Sequence, residues 1–200
     1  MPRPFHVVAT FIAGLSALGA SASSSAAAPQ GENLVVDIPQ EFQLGDQGQQ
    51  GPGADIAEYI PKGETVDDWS RMITVQVFHN LKAFDPNRFG EALKGGLLGG
   101  CPGAQGTQLK SGRENGYAFS LWLYTCPLNP KTGKPETLFD EVISGADSLY
   151  SVQYALRSAL KPDLMPPITA YLSGVRVCDS RLPDRPCPTM TSSPSPSTSS

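Results

Sequence analysis

Residues 56 to 79 read IAEYIPKGETVDDWSRMITVQVFH, and how the middle of this stretch folds decides the rest. Glu58, Glu64, Asp67, Asp68 and His79 lie close together along it, as an active site or a helix end would place them. Thr65 followed three residues later by Asp68 has the form of a capping box, in which each side chain accepts a hydrogen bond from the other's backbone N–H. Glu64, Asp67 and Asp68 would then sit at the positive end of a helix dipole, which stabilises each carboxylate by about 0.3–1 kcal/mol. Val66, Trp69 and Met72 or Ile73 recur at helical spacing, so the pattern predicts a short helix with Trp69 turned inward. On this reading the acidic cluster has a structural cause rather than a catalytic one.

Working outward, DIAEYIP before this segment and MITVQVFH after it read as strands, the second with Ile73, Val75 and Val77 on one face. Upstream, NLVVDIPQEFQLGD gives short extended pieces broken at Pro39, followed by a predicted Gly/Gln loop, GDQGQQGPG. Downstream, FDPNRFGEALKGGLLGG signals a longer helix. Asp85 is a good N-cap, Pro86 suits the first helical position, Gly99 and Gly100 supply the stop, and Phe89, Leu93 and Leu97 form its apolar stripe. Next comes TQLKSGRENGYAFSLWLYTC, a hairpin whose Asn115-Gly116 pair favours a type I′ turn. A second hairpin, ETLFDEVISGADSLYSVQYALRS, turns near 145 to 148 and places Tyr150, Val152, Tyr154 and Leu156 on one face. MPPITAYLSGVRVCD is the last predicted helix, buried along Ile168, Tyr171, Leu172 and Val175. Strands joined by short polar loops make the sheet mainly antiparallel and the class α+β.

The two ends have a different composition. Arg3, the apolar run Val7 to Ala20 and the small residues after it form a signal-peptide pattern, residues 1 to 22, with cleavage possible up to 28. From 188 to 200 the chain is rich in Pro, Ser and Thr and has almost nothing to bury, which predicts a disordered tail. Residues 33 to 187 are then one globular domain. The formal charge is −4, one unit more negative without Arg3, and no Lys/Arg cluster provides a nucleic-acid footprint. No stretch after the leader reaches the roughly 18 apolar residues of a membrane span.

All four cysteines lie in the exported part, where disulfides persist. Of the three possible pairings, Cys101 with Cys126 ties the longer helix's end to a strand. Cys178 with Cys187 closes the Pro-containing turn CDSRLPDRPC. Loops of these sizes are worth roughly 3 kcal/mol each in the chain-entropy picture.

Chemistry is constrained most by histidine. His6 leaves with the leader, so any Ser-His-Asp or Cys-His mechanism must use His79, and a multi-histidine metal site is excluded. The sequence holds no nucleophile elbow, phosphate loop or zincin motif. A carboxylate pair drawn from Glu58, Glu64, Asp140 and Glu141 remains open as acid/base chemistry. Trp122 lies opposite Phe119, Leu121 and Leu123 on its strand, and with His79 is a candidate binding residue. No catalytic residue, metal or cofactor is assigned.

Strand, short helix GETVDDWSRM, strand ITVQVF, longer helix, antiparallel strands and final helix resemble the Mog1/PsbP-like proteins, in a pattern centred on EYIPKGETVDDWSRMITVQVF. The resemblance implies an α/β/α sandwich and a non-enzymatic accessory or binding role, with no catalytic residue to carry over. The leading expectation is an exported accessory domain, periplasmic or secreted, that binds a protein or envelope component through a sheet face or edge. The rivals are a hydrolase using His79 or a carboxylate pair, and a small-molecule carrier, which would require an apolar cavity between sheet and helices.

Overall fold

The computed structural model describes residues 29–188; the signal-peptide reading, and the tail reading beyond Pro188, lie outside them. Strand β1 (Glu32–Val35) is followed by β2 (Phe42–Gln49), β3 (Ala54–Pro61), β4 (Arg71–Phe78) and helix α1 (Pro86–Gly100). Then come β5 (Gln105–Glu114), β6 (Tyr117–Cys126), β7 (Glu136–Ser144) and β8 (Leu149–Leu156). A 3-10 turn (Pro162–Leu164), α2 (Met165–Leu172) and β9 (Arg176–Asp179) complete the order.

Seven strands form one sheet in the order β2-β3-β4-β8-β7-β6-β5, antiparallel at every junction, and β1 pairs with β9 in a separate ribbon. The class is α+β. Side chains alternate across the pleat, so each central strand serves two layers. One face carries Phe119 and Leu121 of β6, Phe139 and Ile143 of β7, and Tyr150, Val152, Tyr154 and Leu156 of β8, packed with Ile168 and Leu172 of α2. On the other face, Ser120 and Tyr124 donate hydrogen bonds to Pro86 and Gly90 carbonyls of α1 at 3.0 and 2.9 Å. The helices therefore lie on opposite faces.

The β5–β6 hairpin turns at Asn115 and Gly116, with φ of 47° and 77°, as a type I′ turn requires. Helix α1 begins as expected: the Asp85 carboxylate accepts from Asn87 N at 2.9 Å. Its fully buried residues are Pro86 and Gly90, while the stripe Phe89, Leu93 and Leu97 is half-buried. Gly90 permits the close approach, because a Cβ there would stand 2.2 Å from the Trp122 ring. Both disulfides are present as paired above, with Cα separations of 6.0 and 4.9 Å.

Three local expectations are corrected. The predicted Gly/Gln loop is mostly strand: β2 runs to Gln49, because β3 supplies a backbone partner through Gln47↔Ala57 and Gly48↔Ile56 whatever the side chains. The last helix stops at Leu172. Val177 instead pairs with Leu34 in the β1–β9 ribbon, a partner from the far end of the chain. The largest correction concerns GETVDDWSRM, which forms no helix: residues 63 to 70 belong to the irregular connection of the β3–β4 hairpin, and Arg71 and Met72 open β4.

Candidate functional site

Half of the expected capping box forms inside that connection. Thr65 Oγ1 accepts from Asp68 N at 3.2 Å, but the Thr65 N–H goes to the Asp68 carbonyl at 3.4 Å, not to its carboxylate. The Glu64 carboxylate accepts from Ser70 N at 2.6 Å and Ser70 Oγ at 2.7 Å. These bonds tie off a polar loop and present Trp69 half-buried at the end of the sheet. Arg157, just past β8, lays its guanidinium 4.1 Å from the Trp69 ring centroid and donates from Nη1 to the Asp67 carbonyl at 2.9 Å. Its side chain is 10 % exposed and lies 3.8 Å from Glu136 Oε1. Glu136 in turn accepts from Asn129 Nδ2 at 2.7 Å and Thr132 Oγ1 at 3.2 Å. Lys134 Nζ approaches Asp68 at 3.5 Å. Trp69 is thus clamped by a cation on its face and by a braced carboxylate behind that cation.

Trp69 walls a mainly apolar cavity of about 170 Å³ between the C-terminal half of α1 and the sheet. Leu97 of α1, Tyr124 of β6, Leu138 of β7 and Ala155 of β8 line it, as does Ala104, which packs with the Cys101–Cys126 bridge. A second, polar recess shares Trp69 and adds Glu64, Asp68, Ser70, Lys134 and Arg157. Leu98 and Leu128, near the two ends of that bridge, are 48 % and 58 % exposed.

A chain of polar side chains runs from the cavity wall along the α1 side of the sheet. Gln153, on that wall, donates to Gln76 Oε1 at 3.3 Å, and Gln76 donates to Gln50 at 2.7 Å. Gln153 also reaches Ser151 Oγ at 3.4 Å, and Ser151 donates to Asp140 Oδ1 at 2.7 Å. Asp140 is fully buried and its Oδ2 has no hydrogen-bond partner among the described residues. Burial pushes its carboxyl up to about 7, against a lowering by the Ser151 hydrogen bond. Glu141, the next residue, points to the opposite face and is 2 % exposed. Burial first, then the nearby Glu114 carboxylate, raise it to about 8.

The other expected residues lie apart. Asp140 and Glu141 face opposite layers, Glu64 braces the loop, and Glu58 stands across from Asp46 and Thr74 in the β2–β3–β4 ladder. Burial and then Asp46 raise the Glu58 carboxyl. His79 joins a different group: its Nε2 lies 2.8 Å from Asp55 Oδ2 and its Nδ1 3.5 Å from Ser148 Oγ. His79 is half-exposed and Ser148 is 5 % exposed. Trp122 is 2 % exposed, stacked on Tyr124 with centroids 5.9 Å apart, and donates from Nε1 to Ser120 Oγ at 3.0 Å. It is a floor for α1, out of reach of a partner. Among the described residues no three His, Cys, Asp or Glu side chains are placed to hold a metal ion, and no helix is long and apolar enough to cross a membrane. Arg157, Lys134, Leu138 and Gln153 are the site residues that the sequence reading missed.

No family model matches the chain, and no curated protein matches it. Among solved structures it is similar to the solution structure of cyanobacterial PsbP (CyanoP) from Synechocystis, at 12% identity and TM-score 0.45, over 78% of this chain and 94% of that one. It is similar to the Saccharomyces cerevisiae Ran-binding protein Mog1p, at 12% identity and TM-score 0.41, over 72% and 85%. A third is LpqN of Mycobacterium tuberculosis, described as involved in cell envelope biogenesis, at 13% identity and TM-score 0.38, over 74% and 85%. All three are of the Mog1/PsbP-like fold.

Proposed function

We propose that the chain is an exported, non-catalytic binding domain that takes one apolar side chain of a protein partner into the cavity beneath α1. The observation that carries this reading is the cavity itself, walled by a Trp69 that Arg157 holds in place. Its volume of about 170 Å³ matches one side chain. Small-molecule sites run to roughly 300–1,000 Å³, so the carrier reading ranks second. Exposed Leu98 and Leu128 flank the bridge beside it, as the surround of an anchor pocket does. Export rests on the leader pattern of residues 1 to 22 and on two disulfides, bonds that persist in oxidising compartments. We assign the periplasm or the cell exterior on that basis.

The hydrolase reading draws on the Ser148–His79–Asp55 chain. A serine nucleophile must reach a substrate carbonyl, and Ser148 is buried in the turn after β7 with its hydroxyl 3.5 Å from the ring.

Indole, a stand-in for an aromatic side chain, tests the site. Titrated into the methyl-labelled domain and followed by NMR, it should shift Leu97, Leu138, Ala104 and Ala155. Ala155→Leu, which fills the cavity, should abolish those shifts while the remaining spectrum stays folded. Binding unchanged in Ala155→Leu, or shifts centred elsewhere, would overturn the reading.

A further inference from the structure

Helix α1 is built from two unlike halves. Its first half is fixed: Gly90 lies against Trp122, its carbonyl accepts from Tyr124 Oη, and the Pro86 carbonyl accepts from Ser120 Oγ. Its second half reads KGGLLGG, and among the described residues nothing lies within 4 Å of where a Cβ would stand on Gly95, Gly96, Gly99 or Gly100. None of the four has a positive φ. Neither a close approach nor a left-handed turn therefore calls for glycine there, yet each glycine lowers helix stability about fivefold relative to alanine. This weakened half carries Leu97 over the apolar cavity. Its far end is anchored: Cys101 N donates to the Leu97 carbonyl at 2.9 Å, and Cys101 is bridged to Cys126 of β6.

We propose that residues 95 to 100 are a lid on the cavity, hinged after the Gly90 contact and tethered by the Cys101–Cys126 disulfide. Local melting of these turns lifts Leu97 and joins the cavity to the bridge-side surface around Leu98 and Leu128. The tether limits the excursion and returns the segment to its place. Gating of this kind rests on the binding reading above for its purpose, though the opening itself needs no ligand. Segments of low local stability are where such opening occurs, and helix glycines without tertiary contacts create one.

Amide hydrogen exchange on the oxidised domain tests the lid without any partner. Amides of residues 95 to 100 should exchange at least about 100-fold faster than those of residues 90 to 93 in the same helix. The variant Gly95→Ala/Gly96→Ala/Gly99→Ala should slow that exchange by roughly 100-fold, since three glycines each contribute about fivefold, and should slow indole association with the cavity. Exchange uniform along α1, or unaltered by the triple variant, overturns the lid whatever indole does. Slowed exchange with unaltered indole association overturns the gating role and leaves the site standing. Failure of indole to bind either form removes the binding reading, while the exchange data still decide whether the segment opens.

Discussion

On the α2 side of the sheet, Phe139, Val152 and Leu172 are sealed from solvent in one continuous apolar cluster. On the α1 side, the neighbouring positions of the same strands hold Asp140, Ser151 and Gln153. Consecutive residues of one strand thus serve opposite purposes. The α2 layer has dense aromatic and aliphatic contact, including Tyr154 edge-on to both Phe42 and Tyr171. The α1 layer has a hydrogen-bonded side-chain chain, a cavity and a helix weakened by glycine. The α2 face is the denser apolar layer, and the α1 face holds the space that the proposed binding would use.

Truncation should expose that asymmetry most strongly. Phe139→Ala removes a fully buried ring from the α2 layer and is expected to cost about 3–5 kcal/mol by denaturant unfolding. Leu138→Ala, one residue earlier, only partly buried and facing the existing cavity, should cost less, about 2 kcal/mol, because part of its surface already borders open space. Equal losses would erase the distinction between the faces.

Acidity should act on both faces at once. Asp140 and Glu141 have ordinary values of 3.8 and 4.5 and are raised to about 7 and about 8 in the folded chain. Between those limits the folded chain holds protons that the unfolded chain has released. The stability they contribute is therefore fully present below about pH 4 and is lost as pH rises through 7 and 8. From pH 8 down to pH 5 each of the two groups should contribute a gain on the order of 3 kcal/mol. Asp179, which hydrogen bonds to Arg181 hold below the usual carboxylate range, works in the opposite sense and sets a limit on the acid side. Asp140→Asn and Glu141→Gln should each flatten the profile, and a profile that rises toward alkaline pH would refute the assignment.

The hinge side of α1 offers a smaller effect. Gly90→Ala places a methyl 2.2 Å from the ring of a Trp122 that is 2 % exposed and hydrogen-bonded to Ser120. The resulting overpacking should cost about 1–3 kcal/mol, partly offset by the better helix propensity of alanine, about 1 kcal/mol. Thermal unfolding would read the net loss, and a stabilised variant would mean that α1 does not sit on Trp122 as described.

What the sequence made legible follows from range. The Tyr150-Val152-Tyr154-Leu156 alternation and the Asn115-Gly116 turn are decided by residues within a few positions, and both are realised. So are the α1 cap and the two disulfides. The β3–β4 connection was misread because Thr65-x-x-Asp68 satisfies a helix cap and a plain turn equally, since both place Asp68 N on Thr65 Oγ1. Tertiary partners decided between them: the Asp68 carboxylate turns toward Lys134, and Arg157 takes the Trp69 face. Arg157 reaches this loop only because Arg71 pairs with Leu156 across β4 and β8. No local pattern announces that register, so the clamped tryptophan, and with it the cavity, became visible only in the fold.

Thr65 itself gives the smallest effect and the sharpest test of that correction. As a helix cap, Thr65→Ala would cost about 1 kcal/mol and reduce helicity. In the connection observed, Thr65 is exposed and its hydroxyl accepts one bond of 3.2 Å, while the backbone bond from Thr65 N to the Asp68 carbonyl survives the substitution. An exposed hydrogen bond contributes at the low end of the usual range, so the expected loss is about 0.5 kcal/mol with the far-ultraviolet dichroism unaltered. The loop's geometry should respond more than its stability does. Loosening Asp68 weakens its contacts with Lys134 and Arg157, and the Trp69 stack relaxes with them. Trp122 is buried under α1 and takes no part in these contacts, so a change in tryptophan fluorescence accompanying an almost unchanged unfolding midpoint would report Trp69. A full 1 kcal/mol loss with falling helicity would restore the helix and place the acidic cluster back at its end.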